Sequence, residues 1–394
     1  MPILTRRSAL LGLTAAVGLG RSSLALAAAG TDRRFVVVIQ RGAMDGMAAV
    51  VPYGDPGLTD LRAALVPPAV GQPDGMLDLG GFYGLHPVMT NLHAMYVAGE
   101  MLPVHAVAGP YRIRSHFEAQ DYLESGADHR MTSGWLNRVV AALPSASHRP
   151  EGEAMAVGVA VPLLLRGPTM VANWAPHGFA MPQADLYARI ANLNAHDPVT
   201  GTAIAEGLRA RGFSEAVLTG DATATNRNAF PALAAAAGRM LAAPDGPRVA
   251  AMEIDGWDTH TAQVNRLKGP LGQLDAGLAA MKASLGDAWA QTTVLVMTEF
   301  GRTARVNGTG GTDHGTATVA FVVGGAVHGG RVVANWPGLS TAQLFENRDL
   351  APTTDLRAVA KGLLVQQFGL SDAVLTEVFP GSGGVSPMKG LLRA

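Results

Sequence analysis

GWDTH, residues 256–260, puts Asp258 and His260 two positions apart, so an extended loop would turn both side chains the same way. A carboxylate and an imidazole on one side suit a borderline cation such as zinc, with manganese or iron as alternatives. GGTDHG, residues 310–315, adds Asp313 and His314 in a glycine-rich turn that runs straight into an apolar stretch. EFGR adds Glu299 and Arg302, and RGAMDG adds Asp45. Each group has a plain alternative role. Asp258 could cap a following helix with His260 in its exposed first turn, Glu299 could be a surface acid or the partner of Arg302, and Asp313 could shape its turn through an Asx bond.

RSHFEAQDYLES, residues 114–125, carries a second kind of chemistry. Ser115 stands three positions before Glu118, the capping-box spacing, which assigns its hydroxyl to a free N–H at a helix start. The same place suits a nucleophile. A helix N-terminus holds anions, and a hydroxyl beside a metal can lose its proton and attack phosphorus or sulfur. Arg112, Arg114 and His116 add positive potential or proton-transfer capacity, and Ser115 with His116 could also act without a metal. His86, His93, His105, His148, His196 and His328 receive no role.

These groups matter only if the fold gathers them. FVVVIQ, residues 35–40, is β-branched without alternation, as a strand buried on both faces requires. Helices are expected around 85–99 and 115–124, with a strand at 101–107 between them. Further strands are expected at 248–255, at 292–300 and in TATVAFVVGG. Leu267, Leu271, Leu274, Leu278, Met281 and Leu285 repeat at helical spacing, with a restart or kink at Pro270. A helix over 354–368 closes the fold. The alternation predicts a doubly wound, mostly parallel α/β sheet flanked by helices, with ligands at the carboxyl ends of its strands. Asp45, Asp258 and Glu299 follow such ends, while Asp313 and His314 sit less regularly between two strands. An alanine-rich helical insertion or cap is expected around 134–247, within one domain over 30–380, and 381–394 reads as a loose tail.

The remaining bounds come from the whole chain. Its 394 residues are 48% hydrophobic, enough for a large core. Arg6-Arg7, an apolar run and small residues at Ala25, Ala27 and Ala29 read as a twin-arginine signal over 1–29, with the export machinery as a partner and a periplasmic or secreted destination. Arg21 interrupts the run short of a membrane span, so no stable anchor is expected after cleavage. Removal of that segment takes away three arginines and no acid, shifting the formal charge from −1 to −4. Nothing in that balance seeks nucleic acid. With no cysteine, disulfides and thiolate chemistry are excluded.

The motifs RGAMDGMAAVVPYGDP, RSHFEAQDYLESG, SGWLNRVV, GWDTH, TEFGRT and GGTDHG, in this order, resemble the exported bacterial family called domain of unknown function 1501, within the alkaline phosphatase-like superfamily of phosphatases and sulfatases. The resemblance spans nearly the whole mature chain. It implies an alkaline phosphatase-like fold and a site with one or two metals, in which Asp45 is the first acid, Ser115 the nucleophile, Asp258 and His260 the middle pair, Glu299 the next acid and His314 the final imidazole. Three departures stand out: Phe300 takes the place of a histidine, Asp45 sits several residues beyond its strand, and Ser115 lies farther along the chain than usual. The expected activity is metal-dependent hydrolysis of a phosphate or sulfate ester, with a small anionic ester or a polymer bearing one as substrate. In that reading Asp45, Asp258, His260, Glu299, Asp313 and His314 hold the metal, while Arg114 and Arg302 act with Ser115 and His116. The rival expectation is a non-catalytic binding or assembly protein that keeps the fold.

Overall fold

The computed structural model describes residues 32–144, 152–158, 160–175 and 230–393. The twin-arginine segment and most of the alanine-rich stretch lie outside them. β1 (Arg34–Gln40) is the centre of an eight-stranded sheet, and all seven of its residues are buried. β2 (Val50–Val51), β3 (Leu77–Asp78) and β4 (Gly84–Leu85) form a small separate antiparallel sheet. The large sheet is completed by β5 (Met101–Ala108), β6 (Ala154–Val157), β7 (Ala172–Trp174), β8 (Val249–Ile254), β9 (Thr292–Thr298), β10 (Thr318–Val323) and β11 (Thr354–Asp355). Its order is β11-β5-β10-β9-β1-β8-β6-β7. Every pairing in it is parallel except those of β10, which runs against both β9 and β5.

Strand alternation sends Val36 and Val38 to one face and Phe35, Val37 and Ile39 to the other. Helices cover both. On the first face lie α1 (Thr90–Val97), α2 (Phe230–Ala242) and α3 (Lys268–Leu285), whose Leu271, Leu274, Leu278, Met281 and Leu285 are buried as their spacing predicts. The second face is covered by α4 (Trp135–Ala142), α5 (Leu356–Phe368) and α6 (Asp372–Val378). Full burial of each such side chain contributes about 1.5–3 kcal/mol. The expected restart near Pro270 falls at Leu267, where a short helix, Gln263–Arg266, gives way to α3.

Two expectations change. Part of the 134–247 span is built into the sheet rather than laid on it: β6 and β7 extend the sheet beyond β8, while α4 packs on the second face. The short apolar run at 154–157 is a buried edge-side strand, which its length alone could not separate from cap packing. The tail is bound as well. Leu391 and Leu392 are buried, their N–H groups donate to Gln366 Oε1 at 2.9 and 3.0 Å, and Lys361 Nζ donates to the carbonyls of Ser382 and Val385, each at 2.8 Å. Among the described residues no helix is long and apolar enough to cross a membrane.

Candidate metal centre

The carboxyl ends of β1, β5, β8 and β9 share one edge of the sheet, and the reversed direction of β10 brings its start to that edge too. That reversal explains how a turn preceding a strand joins loops that follow strands. Beyond β9 the chain keeps pairing with the segment before β10: Gly301 donates to the carbonyl of Thr316 (2.9 Å), Gly315 to that of Gly301 (2.8 Å), and Arg302 is bridged to His314. From β5 the chain passes through Arg114, at φ +65°, into helix α7 (His116–Ser125), which places His116 at the same edge.

Four donors meet there. His116 Nε2 lies 3.0 Å from His314 Nε2 and 3.8 Å from Asp258 Oδ1, and His314 Nε2 lies 3.4 Å from the same oxygen. His260 Nε2 is 3.0 Å from both His314 Nε2 and Asp258 Oδ1. Four-coordinate bonds of about 2.0–2.1 Å require donors about 3.3–3.4 Å apart, so the His116, Asp258 and His314 triangle has the span of one face of such a shell. His260 extends it on one side.

The opposite nitrogen of each ring fixes its tautomer. His116 Nδ1 faces Glu299 Oε1 at 2.8 Å, His260 Nδ1 faces Asp313 Oδ1 at 3.1 Å, and His314 Nδ1 faces the carbonyl of Arg114 at 3.1 Å. A carbonyl or carboxylate oxygen only accepts, so each Nδ1 donates on that side and every ring turns its Nε2 toward the cluster. With Nε2 unprotonated, the three rings and Asp258 Oδ1 present the nitrogen and oxygen donors that a borderline cation takes. The donor set therefore fits a divalent metal.

Burial, then the neighbouring His116 ring and the Arg302 guanidinium, hold the His314 imidazole below its ordinary value. Burial alone would raise the Glu299 carboxyl, but His116, Gln120 and Thr298 donate to it and keep it below the usual carboxylate range. For Asp258 the same burial is outweighed by Arg302, which donates to Oδ1. Hydrogen bonding from Asn307, and then from His260, lowers the exposed Asp313.

The expected residues thus divide. Asp258, His260 and His314 point donors into the cluster, and His116, expected beside Ser115 as a proton carrier, joins them as a fourth. Glu299 and Asp313 hold rings instead of a metal. Asp45 is elsewhere: it is 1% exposed, paired through both oxygens with Arg62 at 2.9 Å each, and bonded by Gln263 Nε2 at 2.7 Å. Burial would push its carboxyl up, and Arg62 more than reverses that, so it remains ionised. Nothing near Asp45 in sequence marks Arg62, seventeen residues on, as its partner.

The arginines are committed too. Arg302 is 1% exposed and donates to the carbonyls of Ala43, Gly42, Trp257 and Thr312 as well as to Asp258. It ties loops together and orients Asp258. Arg114 turns to Asp349 and Glu346, and Arg112 to the carbonyls of Gly109 and Tyr111. The capping box at Ser115 does not form: Ser115 makes no capping bond, and Glu118 accepts from Tyr111 instead. Both ring nitrogens of His116 face other partners, which leaves no Ser115–His116 dyad. Phe300 is buried with its ring 4.9 Å from His116 and 5.3 Å from His314, an apolar wall against the two imidazoles.

The fold and site define an α/β protein with a histidine and carboxylate cluster at the carboxyl edge of its sheet. The chain belongs to the family described as "Protein of unknown function (DUF1501)", whose profile matches residues 97–379. It is similar in structure to a phosphonate monoester hydrolase of Agrobacterium radiobacter, with 11% sequence identity, a TM-score of 0.34, and coverage of 86% of this chain and 74% of that one. No curated protein matches it.

Proposed function

We propose that the chain is an exported hydrolase of phosphate or sulfate esters, of the alkaline phosphatase-like superfamily, that depends on a divalent cation, zinc first, with manganese or iron as alternatives. The observation that carries the reading is the convergence of three Nε2 atoms on Asp258 Oδ1, each ring held from behind by an acceptor. His116, Asp258 and His314 would hold the metal with His260 beside them. A bound divalent cation supplies Lewis-acid polarisation of an ester oxygen and lowers the pKa of a neighbouring hydroxyl.

The protein's own groups do the rest. Glu299, Asp313 and the Arg114 carbonyl orient the three imidazoles. Arg302 keeps Asp258 ionised. Phe300 shields one side of the His116 and His314 rings from water. Ser115 immediately precedes His116 at an uncapped helix start and is assigned as the nucleophile, with the free N–H groups of that turn facing the ester's anionic oxygens. The twin-arginine motif at 1–29 supports delivery by that export machinery to the periplasm or beyond.

A second reading is favoured by one contact: Arg302 donates to the same Asp258 oxygen that faces the imidazoles, so this carboxylate is shared with a fixed cation. In that reading the centre binds a metal without turning over an ester. Elemental analysis of protein exported by its own host, followed by a screen of aryl phosphates, phosphodiesters and aryl sulfates, separates the two. Turnover of an ester that stops with chelator and returns with metal supports hydrolysis, whereas stoichiometric metal with no turnover on any of them supports the second reading.

A further inference from the structure

We propose that Gln263 is a positioning residue of the metal centre, its amide joining the buried Asp45–Arg62 pair to the two loops that carry Asp258 with His260 and Asp313 with His314. This rests on the metal-binding part of the hydrolase reading and not on ester turnover. Each loop has a threonine beside its acid and imidazole: Thr259 stands between Asp258 and His260, and Thr312 directly precedes Asp313. Thr259, Gln263 and Thr312 are all buried, so their polar groups depend on one another for hydrogen bonds.

The direction of each bond follows from Asp45. Its carboxylate, ionised against Arg62, only accepts, so the Gln263 atom 2.7 Å from Oδ2 is the amide nitrogen, which donates. The opposite flip would set two acceptors against each other. Gln263 Oε1 therefore faces the other way and accepts from both hydroxyls, from Thr259 at 3.0 Å and from Thr312 at 2.6 Å. One oxygen clamps both loops. The main chain follows the same path: the Gln263 N–H donates to the carbonyl of Gly310 at 2.9 Å, and the Thr312 N–H to that of Thr259 at 3.2 Å.

A second branch runs from Arg62. Its guanidinium donates to the carbonyls of Thr303 and Ala304, each at 3.0 Å, and the Thr303 hydroxyl accepts from the Asp313 N–H at 3.1 Å. The two loops also pack without slack, since a Cβ on Gly311 would sit 2.3 Å from the His260 carbonyl. A loop that loses its hydroxyl bond shifts against its neighbour, and the separations among Asp258, His260 and His314 shift with it. Asp45, outside the cluster, acts on it through Gln263.

The test is zinc affinity of the full chain, by competition with a calibrated chelator, in paired variants. Thr259→Val and Thr312→Val keep the shape and lose the hydroxyl, whereas Thr259→Ser and Thr312→Ser keep the hydroxyl and lose the methyl. Each Val variant and Gln263→Met should bind zinc about tenfold more weakly, and each Ser variant should stay within about threefold of wild type. The visible absorption of cobalt(II)-loaded protein should shift in the Val variants and match wild type in the Ser variants. If Gln263→Met does not fold, the two threonine pairs carry the test. A role in packing alone gives the reverse order, with Ser the weaker of each pair, and that order overturns the proposal. So does wild-type affinity in both Val variants. Zinc binding that follows the predicted order without turnover of any ester keeps Gln263 in this role and removes the hydrolase reading. Turnover with no difference between Val and Ser does the opposite, and a wild type that binds no zinc removes both.

Discussion

His116 Nε2 faces His314 Nε2 across 3.0 Å, and the Nδ1 of each ring faces an acceptor on the far side, Glu299 for one and the Arg114 carbonyl for the other. The supporting acceptors therefore set whether a metal can bind. Glu299→Gln keeps the shape but replaces an acceptor that fixes the His116 tautomer, so metal affinity should fall about 10–100-fold. Competition against a calibrated chelator measures it. Affinity equal to wild type would show that Glu299 does not orient the ring.

Asp45 and Arg62 are a buried pair away from the cluster, each 1% exposed. Asp45→Asn should cost about 3–5 kcal/mol in urea unfolding, because it leaves a buried guanidinium without its counter-charge. The folded carboxyl titrates below its unfolded value of about 3.9, so the wild-type advantage is complete above that value and disappears as the pH falls through the lower one. An advantage that persists unchanged to the acid limit would contradict the ionised pair.

His105 is fully buried, with Nε2–H donating to the Val50 carbonyl and Nδ1 accepting from Ala106. Burial pushes its imidazole down to about 4. The unfolded ring takes a proton near pH 6.5 and the folded one resists until about 4, so protonation favours unfolding across that window. Wild-type stability should decline from about pH 6.5 toward about pH 4, and His105→Gln should flatten that decline. Parallel pH profiles for the two proteins would rule this out.

Gly42 lies at φ +116°, and a Cβ there would sit 2.8 Å from the backbone nitrogen of Asp258. Its N–H donates to Glu299 and its carbonyl accepts from Arg302. Gly42→Ala should cost about 1–3 kcal/mol and weaken metal binding together, since relief of the clash displaces Asp258. Thermal unfolding followed by metal titration reads both effects.

The main strands and long helices were legible because burial on both faces and helical spacing write themselves into residue type, as in β1 and α3. The gathering of Asp258, His260 and His314 was legible from loops that follow or precede strands. Four features were not. The reversed direction of β10 depends on pairing with β5 and β9, which no local pattern records. The partnership of Asp45 with Arg62 is made across the fold, and so is the docking of Leu391 and Leu392. The role of His116 turns on where each ring nitrogen points, and that is set by Glu299, 183 residues away.

Metal content is the most direct test of the centre. Wild-type protein, His116→Ala and His314→Ala should be purified after export from the same host and compared by elemental analysis. The account predicts a stoichiometric divalent cation in the wild type and its loss from both variants with the fold retained. Equal metal in all three proteins, or none in the wild type, would contradict it.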